Sequence, residues 1–520
     1  MNVNENVRIE AARSLINYPY FIFNDLGKTY FDVSEELIEI KMYYHDYRKG
    51  AEFIPEGTLG DYVASNNKFK IAKTLIDKEA RYMFSQEPDI TIDPIDIIDG
   101  QEEEQIKVYN KLLEKVLEKS NFSKYLLQSA KDCFIGKRIA LLVDLSEADG
   151  IKVHFYNSLQ FYYEEEYDTD QLKLFMTFKC VNESKNGKER LFYINKYMKQ
   201  NNKVYMESSI YNGLGEEVEI LVPSKQIDIE YIPAVVITND GTLEDKKGVS
   251  EMYDLTQGES TYSKLANADV DSENKGMNPI RYVVDMNSNT TKKLSSSAGS
   301  FWELKTEQNQ NESHPMVGTL APALNHTEAV KETLNRIKTD MYSQVDIPDI
   351  SQEGLLSGIT SFKALKALYF PLSVRCDEKM KTWNPALKFM VKCIIDLALI
   401  NVDIVKSIYV LSEFKEIQYV VNIESNYALI DDEMEEKELD LQEINSKSRS
   451  VMSYLKKWRK DDLKTDKQRE EELLQIAYEN NLFEMGGFGS SPEIIESQKQ
   501  KETKQIVETN VEEINLENNK

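Results

Sequence analysis

The sequence predicts an α+β fold in which a helical layer and an antiparallel sheet carry a projecting pair of long helices. Three observations predict it. Four amphipathic helical patterns precede a train of segments with period-two patterning. Two long helical patterns then flank a strand-like insert at 278–324. A breaker-rich stretch, Ile347 to Ser361, follows the second of these helices and leads into another. At 520 residues the chain exceeds what one core usually covers, so several modules are expected.

The first helix is predicted over Ser34 to Lys49, with Ser34 as N-cap and Leu37, Ile40, Tyr44 and Tyr47 at helical spacing. A second runs from Lys68 to Phe84 on Ile71, Leu75, Ala80 and Met83. A third covers Glu102 to Lys119, and a fourth starts near Phe122 and stops at Gly136. Strand patterns follow at 139–144, 151–156, 172–181, 191–197, 203–208 and 218–222, with hairpin turns at Asn186-Gly187 and Asn212-Gly213. A short buried strand lies within Tyr231 to Ile237.

The period then changes. From Gly248 to Gly276 the only breaker is Gly258, and Met252, Leu255, Tyr262 and Ala266 make a thin apolar stripe. At helical rise the segment is about 40 Å long. After the insert, Asn325 caps a second long helix with Glu328 as its capping-box partner. Its stripe is Val330, Leu334, Ile337, Met341 and Val345, a narrow seam of the kind two parallel rods share. Ser361 to Phe370 is helical and bends or ends at Pro371, and a further helix is predicted from Pro385 to Val405. Between Thr360 and Lys392 there are seven basic and two acidic residues. A strand at 418–423 precedes a charged helical tail, broken at 485–492, beyond which a flexible acidic segment is expected.

The chain carries 63 basic and 89 acidic residues, net −26, which argues against a protein whose main task is gripping nucleic-acid phosphates. It is compatible with a surface that nucleic acid slides past. Met1 to Glu10 lacks the basic and apolar regions of a secretory signal, so none is expected. The longest apolar run, Ile394 to Ile400, falls far short of the roughly 20 residues a bilayer needs. Cysteines 133, 180, 376 and 393 have no metal or redox spacing and suit a reducing compartment.

Catalytic motifs are weak. Gly27-Lys28-Thr29 resembles the end of a P-loop, but Ile22 stands where the first glycine is needed. Gly213-Leu214-Gly215 lies between strands and suits a hairpin. Histidines 45, 154, 314 and 326 lack ligand spacing, and a surface or packing role is the simpler reading. Glu164-Glu165-Glu166 and the acids at 431–436 are the basis for one alternative, a metal-dependent nucleic-acid enzyme. Solvated faces are the better reading, since the first cluster adjoins a turn and the second opens the helical tail. A second alternative is a binding module dimerised through a coiled coil of the long helices. No catalytic residue, cofactor or metal is expected.

The order of elements resembles the bacteriophage portal proteins, or head–tail connectors, of the siphophage type. The resemblance spans Glu35 to Asn422. Tyr44-His45-Asp46-Tyr47-Arg48-Lys49-Gly50 is similar to the family's Tyr-x-x-Tyr-x-x-Gly segment. Asn67 to Pro88, with Tyr82-Met83-Phe84, is similar to its helix leading to a Tyr-x-Phe-Gly-x-Pro turn, Ser85 replacing the glycine. Tyr231-Ile232-Pro233 resembles the strand before the stem. Ser357-Gly358 with Ala364-Leu365-Lys366 resembles the helix after the tunnel loop, with two extra residues between the halves.

The resemblance implies a portal fold and a ring, typically of twelve copies, at one capsid vertex. It implies an N-terminal arm (1–33), a wing (34–247 and 362–425), stem helices (248–277 and 325–346), a clip (278–324), a tunnel loop (347–361), a crown (426–485) and the acidic tail (486–520). Met252, Leu255, Tyr262, Val330, Leu334, Ile337 and Met341 would be stem residues. Ser351, Gly354, Ser357, Gly358, Thr360 and Lys363 would line the DNA channel. Arg281, Tyr282, Phe301 and Trp302 would form the clip surface on which the terminase large subunit docks, later replaced by a head-completion or adaptor protein. Double-stranded DNA would pass through, and major capsid and scaffolding proteins would surround the ring. Assembly would take place in the host cytoplasm, with the virion as destination and no membrane involved.

Overall fold

The computed structural model describes residues 21–23, 29–31, 35–54, 64–95, 100–167, 171–181, 191–212, 216–239, 241–284, 301–304, 316–320, 327–349, 362–409, 414–427, 433–446, 448, 450–459, 469 and 471–476. They fall into two units, Met1–Leu429 and Ile430–Lys520.

In the first unit, helices α1 (Glu35–Lys49), α2 (Ile71–Phe84), α3 (Gly100–Lys119) and α4 (Phe122–Gly136) stand where the periodicity predicts them. Acids open α1 and Arg48 and Lys49 close it, in keeping with the helix dipole. Gly50, at φ +85°, ends it and donates its N–H to the Asp46 carbonyl. Leu37, Ile40, Leu75, Ala80, Met83, Tyr109 and Phe134 merge into one core. The turn after α2 needs no glycine, because Ser85 stays right-handed at φ −71°.

The Tyr44 hydroxyl donates to Asp132 Oδ1 at 3.0 Å and ties α1 to α4. Burial raises the Asp132 carboxyl to about 6, against the Tyr44 hydrogen bond and the Arg48 charge. A carboxyl raised above its unfolded value of about 3.9 binds its proton more tightly in the native state, so this group adds stability as pH falls from about 6 toward about 4. Asp132→Asn is expected to equal or exceed the parent's stability near pH ~8 and to lose that margin near pH ~5. Urea midpoints at the two pH values check this.

Strands β4 (Arg138–Ser146), β5 (Gly150–Asn157) and β11 (Ala234–Thr238) form an antiparallel sheet in the order β11-β4-β5. Strands β6 (Phe161–Glu165), β7 (Leu172–Cys180), β8 (Leu191–Gln200), β9 (Lys203–Asn212) and β10 (Glu217–Ile227) form a second, in the order β10-β9-β8-β7-β6. β4 is buried on both faces. Ile139, Leu141 and Val143 face the helical core, whereas Ala140 and Leu142 pack with Phe161, Phe175 and Tyr197 of the larger sheet. One strand therefore joins the helical layer to the five-stranded sheet.

Besides the two three-residue strands Phe21–Phe23 and Thr29–Phe31, three strands were absent from the sequence expectations. β3 (Asp89–Pro94) pairs with β15 (Tyr419–Glu424), its ending in proline and flanking acids reading as a turn. β6 ends in the acids that suggested a solvated face. The third lies in the insert. β8 and β9 turn on Asn201-Asn202, both at positive φ (51° and 58°), a hairpin signal beyond the two Asn-Gly pairs. Those two turns, Gly27-Lys28 and Gly213 to Gly215 lie outside the described residues apart from Asn212, which ends β9. β1 (Phe21–Phe23) and β2 (Thr29–Phe31) form a two-stranded hairpin.

The two helices expected around Pro371 and Pro385 are one. α7 runs from Phe362 to Ile400 with both prolines inside, and α8 (Val402–Tyr409) follows. An internal proline costs about 3 kcal/mol. Leu372, Cys376, Met380, Trp383, Leu387 and Ile394 bury one continuous face that starts just after Pro371, where half-buried Tyr369 precedes it, and runs across Pro385, which outweighs that cost. The second unit holds α9 (Glu433–Asn445) and α10 (Val451–Trp458), tied by a Trp458 Nε1–H donated to Asp440 at 2.6 Å.

Candidate functional site

The predicted helix pair is present. α5 (Glu251–Met277) is capped by Ser250, whose hydroxyl accepts from the Met252 N–H at 3.1 Å. Gly248, at φ +78°, makes the turn into it, and a Cβ there would lie 2.4 Å from the Lys137 carbonyl oxygen. Only glycine fits. The partner helix, α6 (Thr327–Gln344), lies beside α5, and the two meet closely where Met341 covers Gly258. A Cβ on Gly258 would sit 2.9 Å from Met341 Cγ. The glycine that read as a breaker is a point of close helix contact.

The seam is closed only at one end. Met252, Leu255, Met341 and Val345 are buried, but Tyr262, Val330, Leu334 and Ile337 are half-buried. At the other end, β12 (Ile280–Val284), β13 (Phe301–Leu304) and β14 (Met316–Leu320) form a small mixed sheet in the order β13-β12-β14. Tyr282 lies opposite Gly318, which leaves room for its ring. Arg281 and Phe301 are exposed, and Trp302 is on β13.

The thin apolar stripe of α5 has a polar neighbour that sequence periodicity passed over. Glu259, Ser263, Asn267 and Asp271, four residues apart, are buried along one side of the helix. Each accepts backbone N–H groups from the chain at 51–72. Glu259 takes those of Ala51 (2.8 Å) and Ala72 (2.6 Å), and Ser263 takes that of Phe69 (3.3 Å). Asn267 takes that of Asn67 (2.7 Å), and Asp271 that of Ser65 (3.1 Å). Asn267 also donates to the Asn67 carbonyl. Lys70 stands at the N-cap of α2 without a side-chain bond, and the Glu259 carboxylate supplies the missing acceptor and a favourable charge.

This ladder binds a strap of chain along α5 through main-chain atoms. The regular E-x-x-x-S-x-x-x-N-x-x-x-D spacing was the available signal. Glu259→Ala orphans two amides and is expected to cost about 1–3 kcal/mol. Hydrogen exchange at Ala51 and Ala72 checks it, with faster exchange expected in the variant and a smaller change in Glu259→Gln.

A four-charge cluster lies at the base of the pair. Arg375 and Lys379, on the apolar face of α7, meet Glu79 of α2 and Glu251 in the first turn of α5. Arg375 pairs with Glu251 at 2.7 Å and Glu79 at 3.0 Å, and Lys379 with Glu79 at 2.7 Å and with Glu251. Arg375 also lies 3.9 Å from Asp346, which ends α6 at φ +53°. The Lys379 ammonium stacks 3.7 Å from the Phe134 ring centre. Burial and the Glu251 charge raise the Glu79 carboxyl, whose Oε2 has no hydrogen-bond partner. Burial would raise Glu251 too, but Lys379 and Arg375 hold it low. Two of the seven basic residues between Thr360 and Lys392 are therefore internal struts that fix α7 to α2 and α5.

Of the residues expected to line a channel, Ser351, Gly354, Ser357, Gly358 and Thr360 lie outside the described residues, and Lys363 is in the first turn of α7. The acidic run on β6 has local partners. Glu164 accepts from the Tyr162 hydroxyl, and Glu166 pairs with Lys199 at 3.1 Å. No group of acidic, histidine or cysteine side chains among the described residues could hold a metal ion. Among them too, no helix is long and apolar enough to cross a membrane.

A search of curated proteins finds no match. Residues 41–457 match the family model described as "Phage portal protein, SPP1 Gp6-like", a span that includes the strap, the charge cluster, the helix pair and its terminal sheet. The chain belongs to this family of phage portal proteins.

Proposed function

We propose that the chain assembles into a ring, of about twelve copies as is typical of such portals, at one vertex of the capsid. Through it DNA is packaged and ejected. In this reading α5 and α6 are the stem and the β12–β14 sheet is the clip, on which terminase docks and head-completion proteins follow. The segment 347–361 is the tunnel loop, and the portal itself performs no catalysis.

The observation that carries this is the open seam of the helix pair. Val330, Leu334 and Ile337 stay half-buried in one chain, and Tyr253 of α5 is 65% exposed. At the start of α7, Phe370 is 65% and Val374 41% exposed. Apolar surface left uncovered on rods of this length calls for neighbours, and lateral repetition of the same chain supplies them. The net charge of −26 per copy gives duplex DNA few places to adhere.

Native mass measurement tests the reading. Twelve copies of the 60.1 kDa chain weigh about 720 kDa, whereas a coiled-coil dimer weighs about 120 kDa and a monomer 60.1 kDa.

A further inference from the structure

Two patches of the first unit each leave a charge without an ion pair among the described residues, Glu219 on one and Lys179 on the other, and they are complementary in sign. The first is β10. It is the edge strand of the five-stranded sheet and is exposed on both faces over nearly all its length. Val218 is 55%, Ile220 56% and Leu221 44% exposed. Acids alternate with them: Glu217 is engaged by Ser209, whereas Glu219 makes no ion pair among the described residues.

The second patch is a cavity of about 540 Å³ where β5 and β7 meet the α3–α4 junction. Lys119, Lys152, Lys179 and His154 line it, together with Tyr125 and Tyr156. Three lysines give this hollow a basic lining in a chain of net charge −26. Lys152 pairs with Asp149 at 2.9 Å, and Lys119 lies 5.7 Å from the Tyr409 ring centre. Lys179 is exposed and has no ion pair among the described residues.

We propose that β10 of one copy seats its acidic and apolar side chains in the lysine- and tyrosine-lined cavity of the next copy, with Glu219 facing Lys179. β7, which carries Lys179, lies three strands from β10, about 14 Å away across the sheet. The donor edge and the acceptor hollow are therefore two separate patches of one subunit. A contact of that kind is head-to-tail, and repeated around an axis it closes a ring. Register shifts between Glu217 and Glu219, Ile220 and Val222, and Val222 and Lys225 interrupt the β10 edge. Recognition is accordingly by side chains and charge, not by continuation of the sheet. The proposal rests on the ring reading and specifies one contact within it.

Zero-length carbodiimide crosslinking of particles assembled from mixed isotopically light and heavy protein tests it. Mixed-isotope peptides joining Glu217 or Glu219 to Lys152 or Lys179 are expected. Reversal of both lysines, Lys152→Glu with Lys179→Glu, should lower the yield of assembled particles roughly tenfold. Adding Glu217→Lys with Glu219→Lys should restore it, which excludes misfolding as the cause. Rings that give no such peptide and tolerate the lysine reversal overturn this contact and leave the ring reading standing. Crosslinks only within one isotope, or lysines joined to an acidic assembly partner instead, also overturn it. A wild-type protein that stays monomeric overturns both.

Discussion

Lys379→Met is expected to lower the unfolding free energy by about 3–5 kcal/mol, the cost of breaking a buried ion cluster by removing one partner. The ammonium is 3% exposed and touches both Glu79 and Glu251, so its loss leaves two buried carboxylates sharing the single Arg375. One carboxylate then has to take up a proton to stay buried, and its folded-state pKa rises above the unfolded value. A penalty of that sign is present at neutral pH and shrinks as pH falls. Urea unfolding at pH ~8 and pH ~5 should therefore show a larger deficit at the higher value. Combining Lys379→Met with Glu79→Leu should recover much of the loss, because it removes an unpaired charge along with its site. A deficit below about 1 kcal/mol at both pH values would mean that the cluster is solvated and does not brace α7.

Trp383→Ala is expected to cost about 3–5 kcal/mol. The indole is 1% exposed, lies 4.8 Å centre-to-centre from the Phe84 ring, and sits two residues before Pro385. It belongs to the apolar face that keeps α7 continuous across Pro385. Truncation should therefore lower both the urea midpoint and the far-ultraviolet helical signal under mild denaturant. Trp383→Phe, which leaves a smaller cavity, should lose less. Equal losses in the two variants would show that packing volume at this point does not hold the helix together.

The elements with strong local signals were legible in the sequence. The four early helices, the long strands and both rods follow from apolar spacing. Gly50 and Gly248 are turn positions of the kind glycine marks. What escaped depends on distant partners. β3 becomes a strand because β15, more than three hundred residues later, pairs with it. Pro371 and Pro385 fail to end a helix because tertiary burial overrides local cost. The lysine-rich stretch read as a surface feature, yet Arg375 and Lys379 share a face with Leu372, Cys376 and Met380, so their interior place was readable from helical spacing. The strap was hidden for a different reason. Its bonds are to main-chain amides, which carry no residue-specific mark, and only the spacing of Glu259, Ser263, Asn267 and Asp271 betrays it. The acids that prompted a metal-site alternative are engaged by local partners at Glu164 and Glu166.

Electron microscopy of the purified protein decides whether copies of this chain close into a ring. Annular particles are expected, with an axial opening wide enough for a DNA duplex and with α5 and α6 from successive copies standing side by side around it. Single particles of one or two chains, with the α5–α6 seam exposed to solvent or closed against a lone partner, would contradict it.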